Sequence, residues 1–392
     1  MTEWKECKIA DLGAVIGGAT PSTKDPANYE NGTIAWITPK DLSTFTGRYI
    51  KRGERNITEI GLKSCSTQLL PPNSVLFSSR APIGYIAIAA NEVCTNQGFK
   101  SVIPNNGTDP LFLYYLLKYN KAKIESMGSG TTFKEVSGNT MKGISVRVPT
   151  DISVQKRISA MLGMIDDKIE ENERINDNLE QQAQAVFRQE LLQNGELPPN
   201  WTTSSLLDIA DYLNGLAMQK FRPVDGERGL PVLKIKELRQ GFCDYSSELC
   251  SPNIKPEFIV HDGDVIFSWS GSLLVDLWCG GTCGLNQHLF KVTSVKYPKW
   301  FYYTWTAHHL ARFVAIAADK ATTMGHIKRE DLAKAEVIIP DVASMERIGG
   351  VLQPIYDLVI NQRIENRKLS MLRDSLLPKL MSGELDVSAV EL

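Results

Sequence analysis

At 392 residues, with 43% hydrophobic and 22% charged side chains, the chain is long enough for two or three domains with real cores and is not a low-complexity polymer. No apolar run reaches the roughly 18 residues a membrane span needs, no signal-peptide core opens the chain, and seven cysteines without a regular framework suit reduced thiols, so a cytoplasmic setting and no membrane partner are expected. The net charge of −2 hides a segregation: residues 1–150 hold 17 basic and 12 acidic side chains, residues 151–200 hold 5 and 10, residues 201–340 hold 15 and 15, and residues 341–392 hold 6 and 8. The basic excess of the first segment leaves a polyanion partner open.

In chain order, the predicted elements run through twice. Trp4 opens one unit and Trp201 the next. Ile34–Leu42 matches Leu230–Leu238, and the turn and strand from Pro72 to Ser78 match Asp262 to Ser268. Thr95-Asn96-Gln97 matches Leu285-Asn286-Gln287, and Tyr114-Tyr115 matches Tyr302-Tyr303. Gly130–Val136 matches Ala321–Ile327, and Ile144–Pro149 matches Ala335–Pro340. Landmarks kept in order at a period of about 190 residues mean a duplicated domain rather than a solenoid. Short β-branched runs bounded by Gly, Pro and Asn, with one helix late in each unit (Leu111–Glu125 and Lys299–Ala318), predict a strand-rich α+β fold.

Each unit ends in a predicted long helix. From about Ser153 to Glu190, apolar residues at Ile158, Leu162, Ile165, Ile169, Leu179, Ala183 and Val186 alternate at spacings of four and three, the mark of a buried helical seam. The second seam runs through Ile348, Leu352, Ile355, Val359, Leu369 and Leu376, with Pro354 predicting a kink or a late start and Pro378 following the helix. Asn172, Asn176, Gln362 and Asn366 take seam positions in the two helices. Amides there fix register, because a slipped pairing would strand them in an apolar layer; the plain alternative is an interrupted seam with solvated amides. The domain plan is therefore 1–150, a helix over 151–197, 198–340, and a second helix with its tail over 341–392. Antiparallel packing of the helices would relate the units by a pseudo-two-fold axis, a symmetry that duplex DNA shares.

Catalytic signatures are missing. The chain holds no phosphate-binding Gly-x-x-x-x-Gly-Lys, no Gly-x-Gly-x-x-Gly after a strand and no nucleophile elbow. Its Pro-Pro pairs, Pro71-Pro72 and Pro198-Pro199, lack the acidic or amide residue and the aromatic of an amino-methyltransferase loop. Cys279, Cys283 and His288, with Cys243, Cys250 and His261 upstream, have no metal-site spacing and read as small buried thiols. What recurs is polar and basic residues in matched loops. Candidates in the first unit are Thr20, Ser22, Lys40, Ser79, Arg80, Asn96, Gln97, Lys100, Thr131, Thr132 and Lys134. Those in the second are Lys220, Lys234, Lys236, Trp269, Ser270, Asn286, Gln287, His288, Thr322, Thr323, Lys328 and Arg329. Cationic and hydroxyl groups suit phosphates, and Asn or Gln suits adenine edges. Each also has an ordinary use, since Asn-Gln pairs cap turns and Ser or Thr satisfies strand edges.

With these residues in view, the chain resembles the specificity subunit of type I restriction-modification systems. The carriers are Ile34–Leu42, Val75–Gly84, Asn96-Gln97, Gly130–Val136, Val146–Pro149, Ile165–Ile169 and the run from Leu376 to Leu385. The resemblance implies two target-recognition domains, each followed by a long spacer helix, and the two helices paired as an antiparallel coiled coil. It implies a non-catalytic chain that binds double-stranded DNA and assembles with two modification subunits and with restriction (translocase) subunits. It places S-adenosylmethionine, ATP and Mg on those partners, with no cofactor on this chain. A coiled-coil adaptor that binds only proteins, or an enzyme acting alone, are the competing readings.

Overall fold

The computed structural model describes residues 3–80, 82–130, 134–192, 196–319, 325–387 and 390. Two compact units divide the chain, one formed by residues 1–170 with 369–392 and the other by residues 171–368.

In the first unit Trp4–Lys8 pairs antiparallel with Ser145–Pro149, tying the two ends of its strand-rich part together. A five-stranded sheet runs in the order Gly13–Gly17, Lys100–Pro104, Val75–Ser79, Ile83–Ala89, Tyr49–Ile50. A three-stranded sheet sets Ile34–Ile37 between Arg55–Ile57 and Cys94–Thr95. Phe77, Phe112, Leu113, Tyr115 and Ile124 bury their side chains in the main core, which Leu377, Leu380 and Met381 of the second long helix complete.

The second unit repeats the plan. Thr202–Ser205 pairs with Glu336–Ile339. A four-stranded sheet runs Asp211–Asn214, Leu289–Thr293, Val265–Ser268, Leu274–Leu277, and a second runs Leu249–Cys250, Leu230–Leu233, Cys283–Leu285, Ile259–Val260. The duplication holds to the residue. Trp36 lies opposite Cys94 and Ile37 opposite Thr95 in a parallel pair; Val232 lies opposite Gly284 and Leu233 opposite Leu285 in its counterpart. The short helices that follow start alike: Asp41 accepts the Thr38 backbone N–H at 2.7 Å, and Glu237 accepts that of Lys234 at 3.2 Å. Both close the orphan donors of a first turn.

The late helix of each unit is two helices. Pro110–Tyr119 and Lys121–Ser126 break at Asn120, whose side chain donates to the Leu116 carbonyl at 2.8 Å and ends the ladder. Lys299–His308 and Leu310–Asp319 break at His309, whose Nε2 is 2.8 Å from the Glu336 carbonyl oxygen.

The long helices span Ile152–Leu191 (40 residues) and Val342–Ser382 (41 residues), each about 60 Å at 1.5 Å per residue. Asp151 and Asp341 open them, accepting the Ser153 and Ser344 N–H groups at 2.8 Å. The second helix neither starts late nor stops at Pro354, and it carries Pro378 inside it. Each proline removes one backbone bond, while the buried stripe of Ile348, Leu352, Tyr356 and Val359 holds the helix on its core. Gly383, at φ +79°, ends it; a side chain there would meet Nε1 of Trp4 at 2.7 Å.

Within each unit the two helices pack antiparallel. Asp166 meets Arg373 in the first unit, while Asn172 meets Asn366, Glu180 meets Arg363 and Glu190 meets Arg347 in the second. The seam differs from the predicted one in detail. Asp166 takes a buried place beside Ile165, and Phe187 rather than Val186 is buried. Leu377 replaces Leu376 in the same way. Asn172 is fully buried, and its Nδ2 donates to Asn366 Oδ1 and to Glu365 Oε2, both at 2.8 Å. The same register sets Asn176 opposite Gln362. The side-chain oxygens of Asn172, Asn176 and Gln362 are buried without a hydrogen-bond partner.

Candidate nucleic-acid interface

Three loops that lie far apart in sequence meet in each unit, and they are the loops in which the polar residues recur. In the first unit the loop after Val75–Ser79 is bound on both sides. Ser79 N–H donates to the Gly98 carbonyl at 2.7 Å, and Val136 N–H donates to the Ser79 carbonyl at 3.0 Å. Arg80 bridges to Glu135. In the second unit Trp269 N–H donates to the His288 carbonyl at 3.4 Å, Ile327 N–H donates to the Trp269 carbonyl at 3.1 Å, and Ser270 bridges to His326.

A glycine holds the amide loop in both copies. Gly18 and Gly215 lie so close to it that a Cβ would collide with the carbonyl oxygens of Thr95 and Asn96, or of Leu285 and Asn286. Ala19 N–H donates to the Thr95 carbonyl at 3.0 Å, and Leu216 N–H to the Leu285 carbonyl at 2.9 Å. The strand entering each unit is thereby laid on the turn.

This frame assigns several candidates to construction rather than to the surface. Ser79 is fully buried, and its hydroxyl donates to the Gly98 carbonyl at 3.1 Å. Asn96 Oδ1 accepts the Gly98 N–H at 2.8 Å, and Asn286, only 4% exposed, accepts the His288 N–H at 3.3 Å. Both asparagines close Asx turns, which withdraws their side-chain oxygens from any base edge. Ser270 is buried, with its Oγ 2.9 Å from His288 Nδ1. Lys100 is mostly buried and shares Glu135 with Arg80, at 3.3 and 3.5 Å.

The glutamines take the other role. Gln97 is exposed and bonds Thr20, itself exposed. Gln287 is half-buried, and its Oε1 is enclosed without a partner. Ser22, Lys134, Lys220, Lys328 and Arg329 are exposed. Lys40 pairs with Glu54 at 2.7 Å, Lys236 with Asp244 at 3.3 Å, and Lys234 with Glu248. Exposed pairs of this kind hold little free energy and can be exchanged for phosphate partners. Thr131, Thr132, Thr322 and Thr323 lie outside the described residues.

The two frames carry different chemistry. The first presents Arg80 with Lys100 around Glu135. The second presents Trp269, whose indole donates to Asn214 Oδ1 at 3.0 Å and stacks on Phe290 at 5.7 Å, flanked by His288 and His326.

The family of the type I restriction modification DNA specificity domain matches residues 1–181 and again residues 198–368. A type I restriction enzyme specificity subunit of Methanocaldococcus jannaschii, MjaIX, is 33% identical over 98% of this chain and 94% of its own length. The chain belongs to the type I specificity-subunit family. Another member, the EcoDI specificity subunit of Escherichia coli, is 23% identical over 70% of each chain. The crystal structure of the type I system S subunit from M. genitalium shares the fold, with a TM-score of 0.61 at 13% identity over 99% of this chain and 97% of that one.

For a specificity subunit, the attachment of each reading domain to its helices matters as much as the loops, and sequence reading missed it. Arg48, buried in the first unit, bonds Glu170 through Nε at 2.9 Å, Asp167, and the Gly163 carbonyl at 3.3 Å. Tyr115 donates to Asp166 Oδ2 at 2.6 Å, and Arg373 holds Oδ1 at 2.7 Å; burial and the neighbouring carboxylate push the Tyr115 hydroxyl far up. In the second unit Tyr303 packs edge-on against Tyr356 at 5.1 Å instead. Arg363 bonds Asp276 at 2.6 Å and Glu180 at 2.7 Å, and Arg367 grips Asp262 with two bonds of 2.7 and 2.8 Å, holding that carboxyl below its usual range. A cavity of about 240 Å³ lined by Glu180, Phe187, Tyr303 and Tyr356 belongs to this joint and not to the loops.

Among the described residues no three His, Cys, Asp or Glu side chains converge as a metal site. All seven cysteines are free. Cys243 lies against Cys283, whose hydrogen bond lowers the Cys243 thiol, while burial pushes Cys279 up to about 11.

Proposed function

We propose that each unit of this specificity subunit reads one half of a bipartite, asymmetric DNA site, and that the two long helices set the gap between the halves. One observation carries this reading: the same three-loop frame is built twice, residue for residue, and presents different side chains each time. A duplicated scaffold with divergent tips suits two different short sequences on one duplex. Exposed Lys and Arg would neutralise phosphates and set register, while the exposed Gln97 would reach a base edge.

The chain does no chemistry in this scheme. It holds the duplex for two modification subunits that methylate adenine N6, a reaction that requires the base to leave the stack. Restriction subunits join that core. S-adenosylmethionine, ATP and Mg belong to those partners, and the assembly works in the cytoplasm.

Co-expression with the modification subunit, followed by mapping of methylated adenines across the host genome, tests the reading. One split motif with two unlike halves is expected. Matched insertions of one heptad in both helices, about two turns each, should lengthen the gap and leave both halves unchanged. Altered halves at an unchanged gap would show that the helices are no ruler, and methyl transfer by the purified chain alone would overturn its non-catalytic role.

A further inference from the structure

One aromatic side chain of the second unit stands wholly in solvent on a rigid support. Tyr245 is 104% exposed, and Phe242 beside it is 50% exposed. The turn that carries Tyr245 is braced from several sides. Ser247 N–H donates to the Asp244 carbonyl at 3.0 Å, and Asp244 Oδ1 accepts from Ser246 N–H at 2.8 Å and Ser246 Oγ at 2.6 Å. Ser247 Oγ donates in turn to the buried Glu237 at 3.1 Å. A fully exposed ring contributes nothing to this unit's core, yet the braced turn beneath it would lose little backbone freedom on meeting a partner.

The position of the turn says which partner. Lys236 Nζ reaches Ser246 Oγ at 2.9 Å, so the turn lies at the start of the Ile235–Gln240 helix. Ile235 there lies beside Gly271, 3.6 Å from where its Cβ would be, and the preceding Leu233 accepts the Asn286 N–H at 3.2 Å. The turn is thus linked, through the start of this helix, to the Trp269–Gly271 and Asn286-Gln287 loops. Lys236 bonds the turn through Ser246 and Asp244, and three residues on from Tyr245 Glu248 is bonded by Lys234 and Arg222, so basic side chains border this stretch and its carboxylates are already paired.

We propose that Tyr245 is a DNA contact of the second unit, setting its ring against a base step at the edge of that unit's half-site. The assignment rests on the half-site reading above. The first unit has no equivalent: after Pro39–Ser43 the nearest aromatic, Phe45, is half-buried and packs on its own unit's core. The contact therefore serves one half-site only.

The test uses the full chain assembled with its modification subunits and a duplex that the wild-type complex selects from a randomised pool. Tyr245→Ala should weaken binding about tenfold or more, Tyr245→Phe should restore it, and the salt dependence should not change, since no phosphate contact is lost. A 2-aminopurine placed along the second half-site should brighten on binding by wild type and not by Tyr245→Ala; placed along the first, it should respond equally to both. Wild-type affinity for Tyr245→Ala would overturn the assignment while leaving the half-site reading intact. Loss of the modification subunits at unchanged DNA affinity would also overturn it, making Tyr245 a protein contact. A wild-type complex that enriches no sequence would sink the half-site reading and this assignment with it.

Discussion

Arg373 holds Asp166 at 2.7 Å, and neither side chain is more than 16% exposed. Two charges taken out of water this far rely on each other and on the Tyr115 hydroxyl. Arg373→Met should therefore cost the first unit about 3 kcal/mol by leaving a buried carboxylate unpaired. The triple variant Tyr115→Phe, Asp166→Leu, Arg373→Met should recover most of that loss, because an apolar joint needs no compensation. Urea unfolding of the three chains checks both statements.

The seam amides give a prediction of opposite sign. Only the pair Asn172→Leu with Asn366→Leu, which removes the unpartnered Oδ1 together with the amide that Asn172 Nδ2 bonds, should raise the melting temperature; Asn172→Leu alone should not, since it gives up two hydrogen bonds. The double variant should broaden the spacing between recognised half-sites, since a leucine tolerates a slipped pairing that an amide does not. A single sharp spacing in the double variant would remove these amides from any role in register.

Asn96 and Gln97 are neighbours with different jobs. Asn96→Ala removes the acceptor for the Gly98 N–H and should cost about 1 kcal/mol of stability, weakening DNA binding through the turn. Gln97→Ala should unfold like wild type, within about 0.5 kcal/mol, and relax the sequence required in one half-site. Unfolding curves paired with binding to single-base variants of the selected duplex separate the two effects.

A pH effect follows from His309, which is buried and bonded to the Glu336 carbonyl. Burial lowers its pKa from the ordinary 6.5. Above that value both folded and unfolded states hold the ring neutral. As pH falls through 6.5, the unfolded chain takes up the proton first, so the second unit loses stability on the acid side until the folded pKa is passed. Melting temperatures should fall below pH 6.5 in wild type and fall less in His309→Gln. Equal slopes would show that another group controls the acid limb.

Much of this architecture could be read from the chain because it is local and repeated. The landmarks at a period of about 190 residues became matched strands and loops, and the four-three apolar spacing became the two long helices. What stayed hidden depends on neighbours far away in sequence. Asp166 sits in the run Asp166-Asp167-Lys168, which looks like a solvated helix face, and only folding brings Arg373 to it. Arg48 belongs to no sequence pattern and is a buried strut. Asn96 and Asn286 have the right chemistry for adenine, but their geometry gives them to the turn. Tyr245 carries no pattern at all; its meaning comes from exposure on a braced support.

Gly18 and Gly215 mark where this protein is free to vary. Their lack of a side chain lets the incoming strand rest on the amide turn, and the asparagine behind each turn is equally committed. New specificity by substitution there would have to rebuild the backbone. Gln97, Lys134, Gln287 and Lys328 lie on the same frames without holding them up. A library confined to those tips would explore new DNA targets with few unfolded members, and recombining whole units between relatives would move the frame and its vocabulary together.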